Sequence, residues 1–381
     1  MRVKTKKIRY ILRKSGSPFR QMRLWIKHKL GWLDTPVIVP YMGFSNGCDV
    51  YLHGSVMENK GIKKPHAKQS VFTNMLAMIK RYVSDEISGV RIEISCRDQK
   101  KIIETSALGI FHCQFSFPGC KVSESYFETV HYRLIDKLVE QQPIVEAEGK
   151  VLVVHQRLAL GIISDIDDTI MVSHSIRPLR KIRLMLFKNA YGRVPFEGVS
   201  ALYQALHKGR KDQDSFNPVF YVSSSEWNLY DLLEDFFNIR GIPAGPLLLQ
   251  ELQHSIIKFW KSGGGTHNHK LVKIGLLLSF FEDLSFILIG DSGQRDPELY
   301  LQAVEKFPGR IKAVYIRSVG KRKKKKHLEI ARQMDSYNVP MLLINDSSEV
   351  AQHAKEQGFI DPESMPDIFK QTKKDKEKIL G

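Results

Sequence analysis

Asp165 and Asp167 stand two positions apart at the end of the run Gly161-Ile-Ile-Ser-Asp-Ile-Asp-Asp-Thr169. In extended backbone, residues i and i+2 face the same side, so the two carboxyls converge while Ile166 points away. Close carboxylates repel, and the arrangement settles only around a cation or with one group protonated. Taken alone, an Asp-rich surface turn explains the spacing as well. It is not a calcium loop, because Thr169 and Ile170 fall where that loop needs Asn or Asp and then Gly. A second apolar run, Val219–Val222, ends in Ser223-Ser224-Ser225. A hydroxyl and free amides at a strand end suit an anion such as phosphate, and a helix starting near Trp227 adds its positive end; a serine that merely caps that helix is the plainer alternative. Lys270 opens another helix, from which an ammonium group reaches the same edge. Lys258 and Lys273 are its rivals, and the place of Lys270 at the helix start favours it. Finally, Phe286–Gly290 leads into Asp291 and Asp296 through a loop tightened by Gly290 and Gly293. Two more carboxylates after a buried strand make a hard-cation site, for which Mg²⁺ is the natural occupant.

The elements that must position these groups read as a parallel sheet covered on both faces. From residue 156 onward, short apolar runs alternate with amphipathic stretches. Leu158–Ser164, Pro218–Ser223, Pro246–Leu249, Ser285–Gly290, Ile311–Ile316 and Pro340–Ile344 are predicted strands. Phe196–His207, Trp227–Phe237, Lys270–Phe281, Pro297–Phe307 and Ser348–Glu356 are predicted helices. Ligands bind beyond the carboxyl ends of strands in such sheets, which is where all four stretches fall. Residues 36–155 differ: period-two stretches separated by Gly, Asn, Asp and Ser predict a mostly antiparallel β unit, interrupted by a helix at Ser70–Val83. The expected organisation is a basic amphipathic segment over 1–33, a mostly β accessory domain over 34–155, an α/β domain over 156–362 and a charged tail over 363–381, frayed from Thr372 to Gly381.

Charge is concentrated at one end. The chain of 381 residues carries 58 Lys and Arg against 41 Asp and Glu, for a formal charge of +17. Residues 1–30 hold eleven of those cations and no acid, so the rest is nearly balanced. On a helix, Met22, Trp25, Ile26, Leu30 and Leu33 share a face while Arg20, Arg23 and Lys27 lie towards the other. That layout suits an anionic membrane surface, and it also suits docking on the protein body; a nucleic-acid role is disfavoured. Lys321–Lys326 is a second cationic run, leading into a helix at His327–Met334. At 43% apolar and 26% charged the chain is a folded protein, and no stretch reaches the roughly 18 apolar residues of a membrane span. The basic start lacks the apolar core of a secretion signal, so the expectation is a cytoplasmic protein, peripheral at a membrane. Cys48, Cys96, Cys113 and Cys120 are accordingly read as reduced thiols, with a zinc site a minor alternative. His267-Asn-His269 is discounted as a nuclease motif because no matching metal ligands follow.

Taken together, DxDxT, the strand-end serine, the lysine and GDxxxxD resemble the motifs of the haloacid dehalogenase superfamily. The longer texts Ile163-Ser-Asp-Ile-Asp-Asp-Thr169, Tyr221-Val-Ser-Ser-Ser225 with Trp227, and Ile289-Gly-Asp-Ser-Gly-Gln-Arg-Asp-Pro297 resemble the actin-patch-protein-type phosphatidate phosphatase family, over roughly residues 150–360. Glu226 departs from that family's pattern, in which a proline is expected. The resemblance implies a Rossmann-like fold and Mg²⁺-dependent hydrolysis of phosphatidate to diacylglycerol. It implies Asp165 as nucleophile and Asp167 as general acid and base. The metal would be held by Asp165, the main-chain carbonyl of Asp167 and Asp291, with Asp296 direct or through water, and the phosphoryl oxygens by Thr169, Ser223 and Lys270.

Between Asp168 and Glu197 there is no acid, but there are Arg177, Arg180, Lys181, Arg183, Lys188 and Arg193 among leucines, isoleucines and aromatics. This stretch follows the nucleophile motif where the superfamily inserts its cap, so it is expected to overhang the site. Cations beside apolar groups suit a phosphate joined to acyl chains, while a helix with its apolar face on the sheet is the plainer reading. A phosphatase for soluble phosphomonoesters and a non-catalytic scaffold keeping the fold are the alternatives. The oligomeric state is not legible.

Overall fold

The computed structural model describes residues 34–59, 61, 86–120, 125–154, 160–171, 195–212, 216–250, 268–319 and 324–380. The readings of 1–33, Ser70–Val83, Lys258, His267, residues 172–194 and Lys321–Arg322-Lys323 lie outside these. The described residues form two compact units, one over 34–154 and one over 160–380.

The first unit is a seven-stranded sheet: β1 Pro36–Ser45, β2 Asp49–Glu58, β3 Arg91–Cys96, β4 Gln99–Glu104, β5 Ile110–Ser116, β6 Phe127–Leu134 and β7 Glu146–Val153. Their order is β4-β3-β6-β7-β1-β2-β5, and only β1 and β7 pair in parallel, so the antiparallel expectation holds. Alternation makes the core: Val50, Leu52, Ile92, Ile94, Phe115 and Val151 are fully buried, while neighbours such as His112 and Gln114 face outward. The two edges are sealed by side chains, with Lys101 Nζ donating to the Gln114 carbonyl at 2.6 Å and Gln99 Nε2 to that of Ser116 at 3.2 Å; such capping removes a free strand edge.

The reduced-thiol reading is corrected for one pair. Cys48 and Cys120 form a disulfide, while Cys96 and Cys113 are free and buried. The register of β2 with β5 sets Asp49 opposite Ser116, which brings the residues beyond each end together, at a Cα–Cα distance of 4.2 Å. Burial pushes the Cys96 thiol up to about 11, so it stays protonated.

In the second unit the strands are β8 Leu160–Ser164, β9 Val219–Glu226, β10 Leu247–Gln250, β11 Ser285–Asp291, β12 Ile311–Arg317 and β13 Met341–Ile344. The helices are α1 Val199–Lys208, α2 Tyr230–Arg240, α3 Asn268–Phe280, α4 Asp296–Lys306, α5 Lys324–Asp335, α6 Ser347–Glu356 and α7 Met365–Leu380. All strand pairs are parallel in the order β10-β9-β8-β11-β12-β13. Counting from β8 this is 3-2-1-4-5-6, so the winding reverses between β8 and β11 and opens a crevice beyond their carboxyl ends. Right-handed crossovers then put α3, α4 and α5 on one face, where they pack together, and α1 on the other, with α6 and α7 against it. Ile162, Ile163, Phe220, Phe286, Leu288 and Val314 are completely buried, as expected of strands covered on both sides.

The tail corrects the expectation of a frayed end. Helix α7 runs to Leu380, with Ile368 and Thr372 buried one turn apart. Asp375 accepts from the Gly198 amide at the start of α1 at 3.1 Å. The lysines of this stretch face away from that apolar stripe, so composition alone concealed an amphipathic helix. No described helix is long and apolar enough to cross a membrane.

Candidate active site

The crevice between β8 and β11 is where the sequence-predicted acids meet. One carboxylate oxygen each from Asp165, Asp291 and Asp296 lie within 4.8 Å of one another, and all three residues are buried. Asp165 follows β8 and is tied to β11 by its N–H to the Ile289 carbonyl at 2.8 Å. Asp291 ends β11, and its Oδ1 accepts from the amides of Gly293 at 2.6 Å and Gln294 at 3.1 Å, which fixes the following turn. Asp296 opens α4, where a carboxylate also meets the positive helix end. Gly290 makes this approach feasible, because a Cβ there would stand 2.7 Å from Asp296 Oδ2 and 2.8 Å from the Tyr300 hydroxyl.

Among the described residues, Lys270 is the lysine that enters the cluster. Only 1% exposed, its Nζ lies 2.8 Å from Asp165 Oδ1 and 2.7 Å from Asp296 Oδ1. Lys273, its rival, instead spans the Ser223 and Leu248 carbonyls at 3.3 and 3.0 Å, bracing the ends of β9 and β10. Among the described residues, three carboxylates against one ammonium leave two formal negative charges in a buried site, and Asp291 Oδ2 is buried with no hydrogen-bond partner. Burial, aided by the neighbouring Asp296 and against the pull of Lys270, raises the Asp291 carboxyl to about 7. The Asp165 carboxyl is likewise pushed well above the usual carboxylate range, first by burial and then by the other acids, against Lys270. For Lys270, burial opposes the charged form, but Asp165 and Asp296 outweigh it and raise its pKa, so it stays an ammonium. An all-oxygen donor set with excess negative charge and an orphaned oxygen fits a hard divalent cation.

Asp167 points into the same crevice but is held by hydroxyls. Its Oδ2 accepts from Ser225 Oγ at 2.6 Å and from Ser223 Oγ at 3.1 Å. Thr169 Oγ1 donates to Asp165 Oδ2 at 3.3 Å. Asp168 takes a left-handed conformation at φ 60° and closes the turn with its N–H to the Met171 carbonyl at 2.8 Å. Every predicted site residue, Asp165, Asp167, Thr169, Ser223, Lys270, Asp291 and Asp296, therefore falls at one sheet edge. Glu226, the family departure, ends β9 opposite Gln250.

Two residues escaped the sequence reading. Ser225 has the same period-two relation to Ser223 that Asp167 has to Asp165, and that argument applied to β9 would have found it. Arg317 ends β12 in register with Asp291. Its guanidinium stacks 3.8 Å from the Phe196 ring centroid and lies 3.5 Å from Glu197 Oε2. It thereby pins the point where the chain re-enters at Pro195, which bridges to Met171. Met171 and Pro195 thus lie side by side next to the Asp165 loop.

The comparisons with known proteins converge on this domain. A family model described as phosphatidate phosphatase APP1, catalytic domain, matches residues 160–318. The phosphatidate phosphatase APP1 of Saccharomyces cerevisiae is 32% identical over 158 residues, which cover 42% of this chain and 26% of that protein. An uncharacterized protein of Schizosaccharomyces pombe is 25% identical over 251 residues, covering 64% of this chain and 40% of that protein. The chain thus spans well under half the length of either relative. Among solved structures, a carbohydrate acetylesterase from Xanthomonas citri overlays at a TM-score of 0.26 and 8% identity, with coverage of 74% of this chain and 68% of that one, a likeness too small to bear on fold or function. The motif text, the geometry of the crevice and the matched span coincide: residues 160–318 are similar to the APP1-type phosphatidate phosphatase catalytic domain.

Proposed function

We propose that the protein is a Mg²⁺-dependent phosphatase of the haloacid dehalogenase type that hydrolyses phosphatidate to diacylglycerol through an aspartyl-phosphate. The observation that carries this reading is the meeting of Asp165, Asp291, Asp296 and Lys270 in one buried cluster, with Asp167 two residues from Asp165 and bonded to hydroxyls. Asp165 attacks phosphorus, and Asp167 gives its proton to the departing alkoxide. Asp167 then takes a proton from the water that frees phosphate from Asp165. Thr169, Ser223 and Lys270 hold the phosphoryl oxygens where negative charge accumulates. Asp165, the Asp167 carbonyl, Asp291 and Asp296 would hold Mg²⁺, which would neutralise charge on the phosphoryl group. The cationic and apolar side chains of 172–194, with the basic segments 1–33 and 321–326, support an anionic phospholipid substrate met at the cytoplasmic surface of a membrane.

The test is phosphate release from phosphatidate in mixed micelles set against release from a small chromogenic ester. Phosphatidate is expected to be preferred by at least about tenfold in kcat/KM, the scale of a few buried methylenes. Turnover of the small ester with none of phosphatidate would instead make it an enzyme of soluble phosphomonoesters, and no turnover of either would leave a scaffold.

The cation has a signature apart from activity. Because Asp291 titrates near 7 in the folded protein and near 3.8 when unfolded, the metal-free fold binds the extra proton between those values. Its stability therefore falls as pH rises from about 4 to about 7. Cation binding needs the ionised carboxylates, so the gain in Tm on adding Mg²⁺ is expected to be near zero at pH 5 and about 3–10 °C at pH 8, at roughly 10–100 times the Kd. Thermal melts with and without Mg²⁺ across this range check it; an equal gain at both pH values counts against these ligands.

A further inference from the structure

In the reaction proposed above, Asp167 carries both proton transfers, and the residue that keeps its carboxyl aimed has not been assigned. Ser223 and Ser225 are buried and project from the same side of β9. Ser223 Oγ accepts from the Ser225 amide at 2.8 Å and donates its single proton to Asp167 Oδ2 at 3.1 Å. Ser225 Oγ donates to the same carboxylate oxygen at 2.6 Å, the shorter of the two bonds. A hydroxyl has one proton to give. When Ser223 turns that proton to a phosphoryl oxygen, it can no longer hold Asp167, whereas the bond from Ser225 persists.

We propose that Ser225 is a positioning residue that fixes the Asp167 carboxyl for proton transfer to the leaving group. This inference rests on the phosphatase reading and deepens it. With Oδ2 committed as the acceptor from Ser225, the transferable proton sits on Oδ1. As the Asp165 oxygen forms its bond to phosphorus, the bond from phosphorus to the leaving oxygen breaks. Its electron pair stays on that oxygen, which takes the Oδ1 proton and leaves as the alcohol. Asp167 remains as a carboxylate still hydrogen-bonded by Ser225. In the second half, the Asp167 carboxylate takes one proton from water, the water oxygen bonds to phosphorus, and the bond to Asp165 breaks. Without Ser225 the carboxyl loses its shortest hydroxyl bond and is less firmly held in line with the leaving oxygen.

The leaving group supplies a readout that a merely structural role would not move. An alkyl oxygen departs only with a proton, whereas p-nitrophenolate departs without one. The quantity kcat/KM includes every step up to that departure, so it isolates the first proton transfer. For Ser225→Ala, kcat/KM on phosphatidate is expected to fall about 10–100-fold, a fraction of the usual contribution of a general acid. The loss should lie in kcat, with KM little changed, while kcat/KM on p-nitrophenyl phosphate stays within about threefold of wild type. Ser225→Thr, which keeps the hydroxyl, should recover most of the alkyl-ester rate. Equal losses on both esters, or no loss on either, would overturn the assignment of Ser225 while leaving the phosphatase reading in place. Absence of turnover by the wild-type protein on both esters would defeat that reading and this one with it.

Discussion

Replacing Asp165 with Asn is expected to cut phosphate release by at least about 10³-fold while leaving the fold intact, since loss of a covalent nucleophile removes the reaction path and not merely a contact. The amide keeps the size of the carboxyl but cannot form the acyl phosphate. The structure also says why the fold should survive. Asp165 is completely enclosed and crowded by like charges, with its carboxyl held above its normal range chiefly by burial. A neutral group there removes repulsion with Asp291 and Asp296, and Lys270 retains Asp296 at 2.7 Å. Metal-free Asp165→Asn should therefore melt no lower than wild type at pH 8, where the carboxylate would otherwise be most costly. Activity and melting measured on one preparation separate the two effects. A variant that turns over within tenfold of wild type would refute covalent catalysis at this position.

Why the site was legible and parts of the fold were not comes down to how local the signal is. Asp165 and Asp167, or Asp291 and Asp296, carry their geometry in their own spacing, because each pair sits at the end of one buried strand. The strands of the parallel sheet announced themselves as unbroken apolar runs, since both faces are covered. β4, Gln-Lys-Lys-Ile-Ile-Glu, did not: it is an edge strand whose residues are exposed or half-buried throughout, so nothing in it alternates. β7 hid for a different reason. Its inward positions Ala147 and Gly149 are small, and Gly149 is so closely approached by Pro40 and Tyr132 that a Cβ would lie 2.8 and 2.9 Å from them. The Cys48–Cys120 pairing depends on the register of β2 with β5 across 72 residues, which no local pattern encodes. Arg317 matters through a ring and an acid more than a hundred residues away, and only the folded sheet brings them together.

Lys270→Met should be the most destabilising substitution at the site, and its effect should depend on pH in a way a packing defect cannot imitate. Methionine nearly fills the lysine's volume, so the change is mainly electrostatic. Removing one partner of a buried ion pair costs about 3–5 kcal/mol, because the remaining charges are left uncompensated. At about 2–4 °C per kcal/mol for a domain of this size, that is a drop in Tm of roughly 6–20 °C at pH 8 without metal. Below about pH 5 the penalty should shrink, since the Asp291 and Asp165 carboxyls, already raised in the wild type, rise further without the ammonium and take up protons. The sign follows from linkage: the mutant fold binds more protons than the unfolded chain over a wider range, so its stability falls more steeply as pH climbs. Adding Mg²⁺ at pH 8 should restore part of the loss, while turnover stays down by about 10²–10³-fold because the phosphoryl oxygens have lost a preorganised cation that the metal does not replace. A Tm deficit of the same size at pH 5 and pH 8 would show that Lys270 acts as packing, and that the two contacts of 2.8 and 2.7 Å carry no net charge compensation.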